Sequence, residues 1–117
     1  MKRGVITCRD SLLSVDIVAT SLERKLGLKF REHLPKNNGM LFIFPEARQL
    51  SFWMEDTVIP LSIAFLTEGG QILNIEDMSP NSLESTKSAC KAKYALETNK
   101  GWFIDNGIVP GDYVIFN

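Results

Sequence analysis

The chain has 117 residues, the size of one domain, since domains commonly run to roughly 100–150 residues. At 44% hydrophobic and 23% charged residues it has the make-up of an ordinary globular protein, neither disordered nor fibrous. Thirteen basic residues stand against fourteen acidic ones for a net charge of −1, which argues against the basic face that a nucleic-acid partner demands.

The first residues, Met1 to Arg9, carry an apolar run of only a few residues, too short for a signal-peptide core. The stretch "LLSVDIVAT" then alternates, with Leu13, Val15, Ile17 and Ala19 on one face and Ser14, Asp16 and Thr20 on the other. That is the pattern of a half-buried strand, with Val18 its one exception. Thr20 and Glu23 have the three-residue spacing of a capping box, which predicts a helix start. Leu22 and Leu26 share one helical face and Gly27 supplies the stop, so this helix has roughly two turns.

"REHLPKNNG" is composed as a loop, and "GMLFIFP", Gly39 to Pro45, reads as a strand buried on both faces. "RQLSFWM" reads as another strand. "LSIAFL" and "QILNIE" flank Thr67-Glu68-Gly69-Gly70, a hairpin signal. A polar segment, "DMSPNSLESTKSA", precedes strand character in "KAKYALET". Gly101 to Asn106 reads as one helical turn closed by Gly107, and "VPGD" has Pro and Gly in type II order before a last strand, "YVIF". Some seven strands with little helix predict a compact antiparallel β-sandwich or barrel-like domain over residues 1–117.

Cys8 and Cys90 lie far apart and match no CxxC pattern, so reduced, buried thiols are the simpler expectation. With one histidine, His33, a histidine-built metal or triad site is not expected, and no cofactor is implied. No stretch approaches the ~20 apolar residues of a membrane span, and a cytoplasmic location is expected. There is no nucleophile elbow, P-loop or dinucleotide fingerprint.

Four segments carry a resemblance: "ERKLGLKFRE", "GMLFIFP", "SFWMEDTVIPLSIAF" and "KYALETNKGW…GIVPGD". In this order and spacing they resemble the prokaryotic family catalogued as domain of unknown function 192, over roughly Val15 to Val114. The resemblance implies a mostly β, sandwich-like domain with a short helix or two, in a family whose members often follow export signals. It implies no activity. The chain departs from the family's pattern at Lys29, where methionine is usual, at Asp56, where an amide is usual, and at Ser62, where a carboxylate is usual.

The segment "SFWMEDTVIPLSIAF" sets bulky apolar residues beside two acids. On the plainer reading Phe52 and Met54 point into the core while Asp56 and Thr57 cap a turn. On the functional reading Trp53 walls a pocket whose convergent polar groups are Asp56, Thr57 and Ser62. Asp56 is then expected to turn inward and share a hydrogen-bonding task with Ser62, while Glu55 faces solvent. Arg31 either holds a loop to Glu23 or Asp56, or receives an anionic ligand in the same concavity. Alternation in "YALET" places Ala95 and Glu97 on one face, making Glu97 the other candidate carboxylate.

These residues support two functions from different classes. One is a non-enzymatic module that binds a small or extended ligand on an aromatic-lined surface built from Trp53, Tyr94 and Trp102. The alternative is a small hydrolase whose paired carboxylates, Asp56 and Glu97, stand roughly 5–9.5 Å apart across a scissile bond. A third reading is a protein–protein interaction domain. A small molecule or a protein is the expected partner.

Overall fold

A computed structural model describes residues 2–117. The strands are β1 (Lys2–Cys8), β2 (Ser11–Val18), β3 (Asn38–Arg48), β4 (Ser51–Phe52), β5 (Leu61–Leu66), β6 (Ile72–Met78), β7 (Thr86–Lys87), β8 (Ala92–Asn99) and β9 (Val114–Phe116). The helices are α1 (Ser21–Leu26) and α2 (Trp102–Asp105). Seven strands form one curled sheet in the order β6-β5-β8-β3-β2-β1-β9, while β4 and β7 pair separately. The fold is therefore mostly β and barrel-like, as the strand spacing predicts.

Neighbours in the sheet run antiparallel except β2 and β3, which are parallel. A parallel pair needs a crossover of a dozen or more residues, and the segment carrying α1 supplies it. This one parallel pair is what lifts α1 onto the outside of the sheet. β1, which the sequence reading passes over, pairs with β2 through a tight turn at Arg9, whose φ is 52°.

The two edges of the sheet meet. Gln71 bridges Tyr113, the Ile72 N–H donates to the Asp112 carbonyl at 2.8 Å, and the Val114 N–H donates to the Gly70 carbonyl at 2.9 Å. The predicted turns make this closure possible. Gly70 has φ 90°, and its carbonyl is the one Val114 reaches. In "VPGD" the Asp112 N–H returns to the Val109 carbonyl at 3.1 Å, with Gly111 at φ 96°. Asp112 also receives Arg9 through two hydrogen bonds of 2.8 and 3.0 Å. That guanidinium holds the Asp112 carboxyl below the usual carboxylate range.

Strand alternation divides the apolar residues between two cores. Inside the curl lie Leu13, Val15, Leu41, Ala64, Leu66, Leu96 and Val114, joined by Trp102 and Phe103 from α2. On the outside, Met40, Phe42, Leu61, Ile63, Phe65 and Ala95 form a second core, covered by Leu28, Leu34, Leu50, Met54 and Ile59 from connecting segments. Of the residues expected inside, Ile17, Ile43 and Phe52 are only partly buried. Cys8 is buried and free, whereas Cys90, expected to be buried, is exposed and free.

Candidate functional site

Among the described residues, the outer core holds one buried ionisable group. The register of β8 sets Glu97 between Met40 on β3 and Ile63 on β5, both fully buried. Glu97 itself is 4% exposed. Among the described residues its carboxyl has no hydrogen-bond partner. Every side-chain polar atom that is fully closed off does have one. The carboxyl therefore keeps an opening, and the space it opens into is a cleft of about 480 Å³. Burial with no compensating bond pushes the Glu97 pKa up to about 8, so at neutral pH the group is a protonated carboxylic acid that can donate a hydrogen bond.

The cleft exists because α1 stands off the sheet. Thr20 and Glu23 form the predicted capping box, and the Arg24 guanidinium donates to the Ala19 and Ile43 carbonyls. None of the residues of α1 is buried, and Leu22, which shares an apolar stripe with Leu26, is 78% exposed. Gly27 ends the helix at φ 50° close over the Phe42 ring, where a Cβ would lie 3.4 Å from it. Opposite α1 runs the segment Ser51 to Thr57, and Phe42, Phe44 and Glu97 line the sheet between these walls.

Lys29 straps the two walls together. Its Nζ donates to the Glu55 carbonyl at 2.7 Å, lies 3.5 Å from Glu55 Oε1, and sits 5.9 Å from the centre of the Trp53 ring. Two guanidinium groups stand over the ring of Phe44, Arg24 at 4.9 Å and Arg48 at 5.2 Å from its centre. Cations on aromatic faces are attracted by the ring quadrupole. The cleft thus has an aromatic lining, a cationic rim of Arg24, Lys25, Lys29 and Arg48, and Glu55 as its one ordinary acid.

Of the residues singled out in the sequence, Trp53, Thr57 and Glu97 line this cleft. Trp53 is 49% exposed at its rim, and the buried Thr57 donates its hydroxyl to the Glu55 carbonyl at 3.1 Å. Asp56 does not turn inward; it is exposed. The Thr57 N–H closes a turn onto the Met54 carbonyl, and Asp56 occupies the left-handed position of that turn at φ 55°. The chain thereby points Thr57, not Asp56, at the core. Ser62 lies on the opposite face, in step with Ala64 and Leu66 of the inner core. It donates to Asp77 at 2.7 Å and accepts from the Gly101 N–H at 3.0 Å.

Arg31 also lies away from the cleft and pairs with Asp16 at 3.3 Å, a carboxylate that Arg3 meets at 2.6 Å. Trp102 is buried inside the curl and donates to Asn37, while Tyr94 packs on Phe116 at 5.0 Å. A shared aromatic surface of Trp53, Tyr94 and Trp102 is therefore not formed, and Asp56 and Glu97 do not face one another across the cleft. The sequence reading missed Arg24, Lys25, Arg48, Phe42 and Phe44. The one advance signal was Lys29, a departure from the family pattern that falls inside the site.

The fold and cleft define a small barrel-like β domain with a lateral pocket under an outside helix. The chain belongs to the DUF192 family, described as an uncharacterized ACR, whose model matches residues 5–116. A crystal structure named as a putative transcription regulator from Sinorhizobium meliloti 1021 superposes with a TM-score of 0.95 at 30% identity, covering 98% of this chain and 94% of that one. A protein of unknown function from Novosphingobium aromaticivorans superposes with a TM-score of 0.87 at 31% identity, covering 96% of this chain and 82% of that one. No curated protein matches the chain. Among the described residues there is no cluster of potential metal ligands, and no helix is long and apolar enough to cross a membrane.

Proposed function

We propose that the protein is a ligand-binding module without catalytic activity, and that the cleft between α1 and Ser51–Thr57 receives a small molecule. The observation that carries this reading is the Glu97 carboxyl, buried, unpartnered and open to the cleft. Burying a polar group without a hydrogen bond costs about 1–3 kcal/mol in proteins. A group kept at that cost beside a cleft of ligand size, ~300–1,000 Å³, is explained by a partner that binds there. The free thiols of Cys8 and Cys90 favour a reducing, cytoplasmic setting. Both superposed proteins come from bacteria, which supports a prokaryotic source.

A thermal-shift screen against small organic acids, amines and sugars tests the proposal. A ligand at a hundred times its dissociation constant stabilises by about 2.7 kcal/mol. That shift should vanish in Glu97→Leu and shrink in Trp53→Ala. Hits that stabilise both variants as well as the parent protein would place binding elsewhere and end this reading.

A further inference from the structure

The charges around the cleft do not balance. Lys29 is matched by Glu55. Arg24 spends its hydrogen bonds on backbone carbonyls, which leave its charge uncompensated. Among the described residues, neither Lys25 nor Arg48 has an acidic partner. Three cations thus face a space whose remaining acid, Glu97, lies largely buried at its floor. A cationic ligand would meet this rim as repulsion, whereas an anion would supply the missing charge. At the bottom, a protonated carboxyl offers a hydrogen to an acceptor. Between rim and floor the lining is apolar, from Leu28, Phe42, Phe44, Phe52, Trp53 and Met54.

We propose that the cleft binds a small organic carboxylate with an apolar body, its head accepting a hydrogen bond from Glu97 and taking its counter-charge from Arg24, Lys25 and Arg48. The inference rests on the cleft being the binding site and adds the ligand's chemical class. An anionic head satisfies Glu97 and offsets the rim at once. An aromatic or aliphatic body covers the exposed Trp53 ring and the part-buried Phe52 ring, at roughly 25 cal/mol per Å² of apolar surface. A neutral ligand of the same shape gains only the second of these.

Three probes with one shared body separate the possibilities: phenylacetate, phenylacetamide and phenethylammonium, each titrated into labelled protein and followed by NMR at neutral pH. Phenylacetate should shift the amides of Phe42 and Glu97 and the Trp53 indole, and bind about tenfold or more tighter than the amide, a difference of ~1.4 kcal/mol. Arg48→Gln and Lys25→Gln, both at exposed positions, should each weaken phenylacetate several-fold and by more than they weaken the amide.

The groups facing the bound head are Arg24 and Lys25 from α1, Lys29 from the following turn, Arg48 from β3 and Glu55 from the opposite wall. Glu97 changes charge near pH 8, so phenylacetate binding should fall as pH rises through that value. Glu97→Gln should abolish the fall while retaining binding. Equal or tighter binding of the amide or the ammonium at these resonances would overturn the anionic class and leave the cleft as a binding site. Competition by inorganic phosphate as strong as by phenylacetate would overturn the organic carboxylate in favour of a general anion site. Silence of all three probes at these resonances would overturn both this inference and the reading beneath it.

Discussion

Among the described residues, the two faces of the curled sheet differ in how they treat one buried polar group. On the inner side the buried polar side chains are spoken for: Ser62 serves both Asp77 and Gly101, and the Trp102 indole reaches Asn37. On the outer side, on the same strands, Glu97 is left with no partner among the described residues. Both sides bury comparable sets of apolar residues, so hydrophobic drive does not separate them. The difference lies in the cover. The inner core is closed by the sheet itself and by α2, whereas the outer core is covered by connecting segments and by a helix that packs nothing of its own. A face roofed by the main sheet can be sealed; one roofed by a crossover can be left ajar.

The largest expected effect tests that the inner face is sealed. Phe103, 1% exposed and packed edge-on against Trp102 at 5.4 Å, should cost ~3–5 kcal/mol when replaced by alanine. Phe52 lies between Phe42, Phe44 and Phe65 with ring separations of 5.0, 6.2 and 5.9 Å. It is only partly buried at the cleft, so Phe52→Ala should cost less, ~2 kcal/mol. Chemical denaturation checks both. Equal losses would mean that the two faces are sealed alike.

Glu97 gives the next largest effect, with a definite sign in pH. Its folded pKa of about 8 lies above the unfolded carboxyl range near ~4.3. Between those values the folded state holds a proton that the unfolded state has lost, so stability falls as pH rises. The slope approaches 1.4 kcal/mol per pH unit, at roughly full strength between the two pKa values. The contribution is complete below the unfolded pKa and gone above the folded one. Glu97→Gln should remove this slope, so that the variant gains on the parent protein steadily from about pH 5 to pH 8. Parallel stability curves for the two proteins would show that Glu97 is hydrated or paired.

Ser62 provides the opposite sign on the opposite face. Ser62→Ala strands the Gly101 N–H at the entrance to α2 and removes a bond to Asp77. It should destabilise by ~1–3 kcal/mol at all pH values near neutrality. A neutral outcome would mean that water replaces the hydroxyl, and the inner face would lose its claim to full satisfaction.

Much of the fold was legible because its signals are local. The Thr20–Glu23 capping box, the Thr67–Gly70 hairpin turn, the Val109–Asp112 turn and the alternation in β2 and β8 each depend on residues a few positions apart. The site was legible only in part, because a cleft is assembled from segments that no period links. Glu97 was placed on its face by alternation, but its isolation depends on Met40 and Ile63 from two other strands. The cations of α1 and Arg48 come to the site only because the parallel crossover sets that helix over Phe44. Asp56 was misread because an acid between apolar runs looks trapped, and sequence spacing does not show that a left-handed turn can turn it out.

That misreading yields the smallest and most discriminating series. If Asp56 is there for its backbone conformation, its carboxylate carries little and its φ of 55° carries most. Aspartate visits the left-handed region more readily than most residues, while a Cβ there costs roughly 1–2 kcal/mol for ordinary residues. Asp56→Gly should therefore be close to neutral, the eased turn offset by the greater freedom of the unfolded chain. Asp56→Ala should cost ~0.5–1 kcal/mol and the β-branched Asp56→Val more, ~1–2 kcal/mol. Glu55→Ala breaks only the half-exposed pair with Lys29, worth ~0–1 kcal/mol. The ordering Gly, Ala, Val by thermal denaturation is what a backbone role requires. If glycine costs as much as alanine, the carboxylate is held by something on the protein, and the outward turn of Asp56 that separates it from Glu97 is wrong.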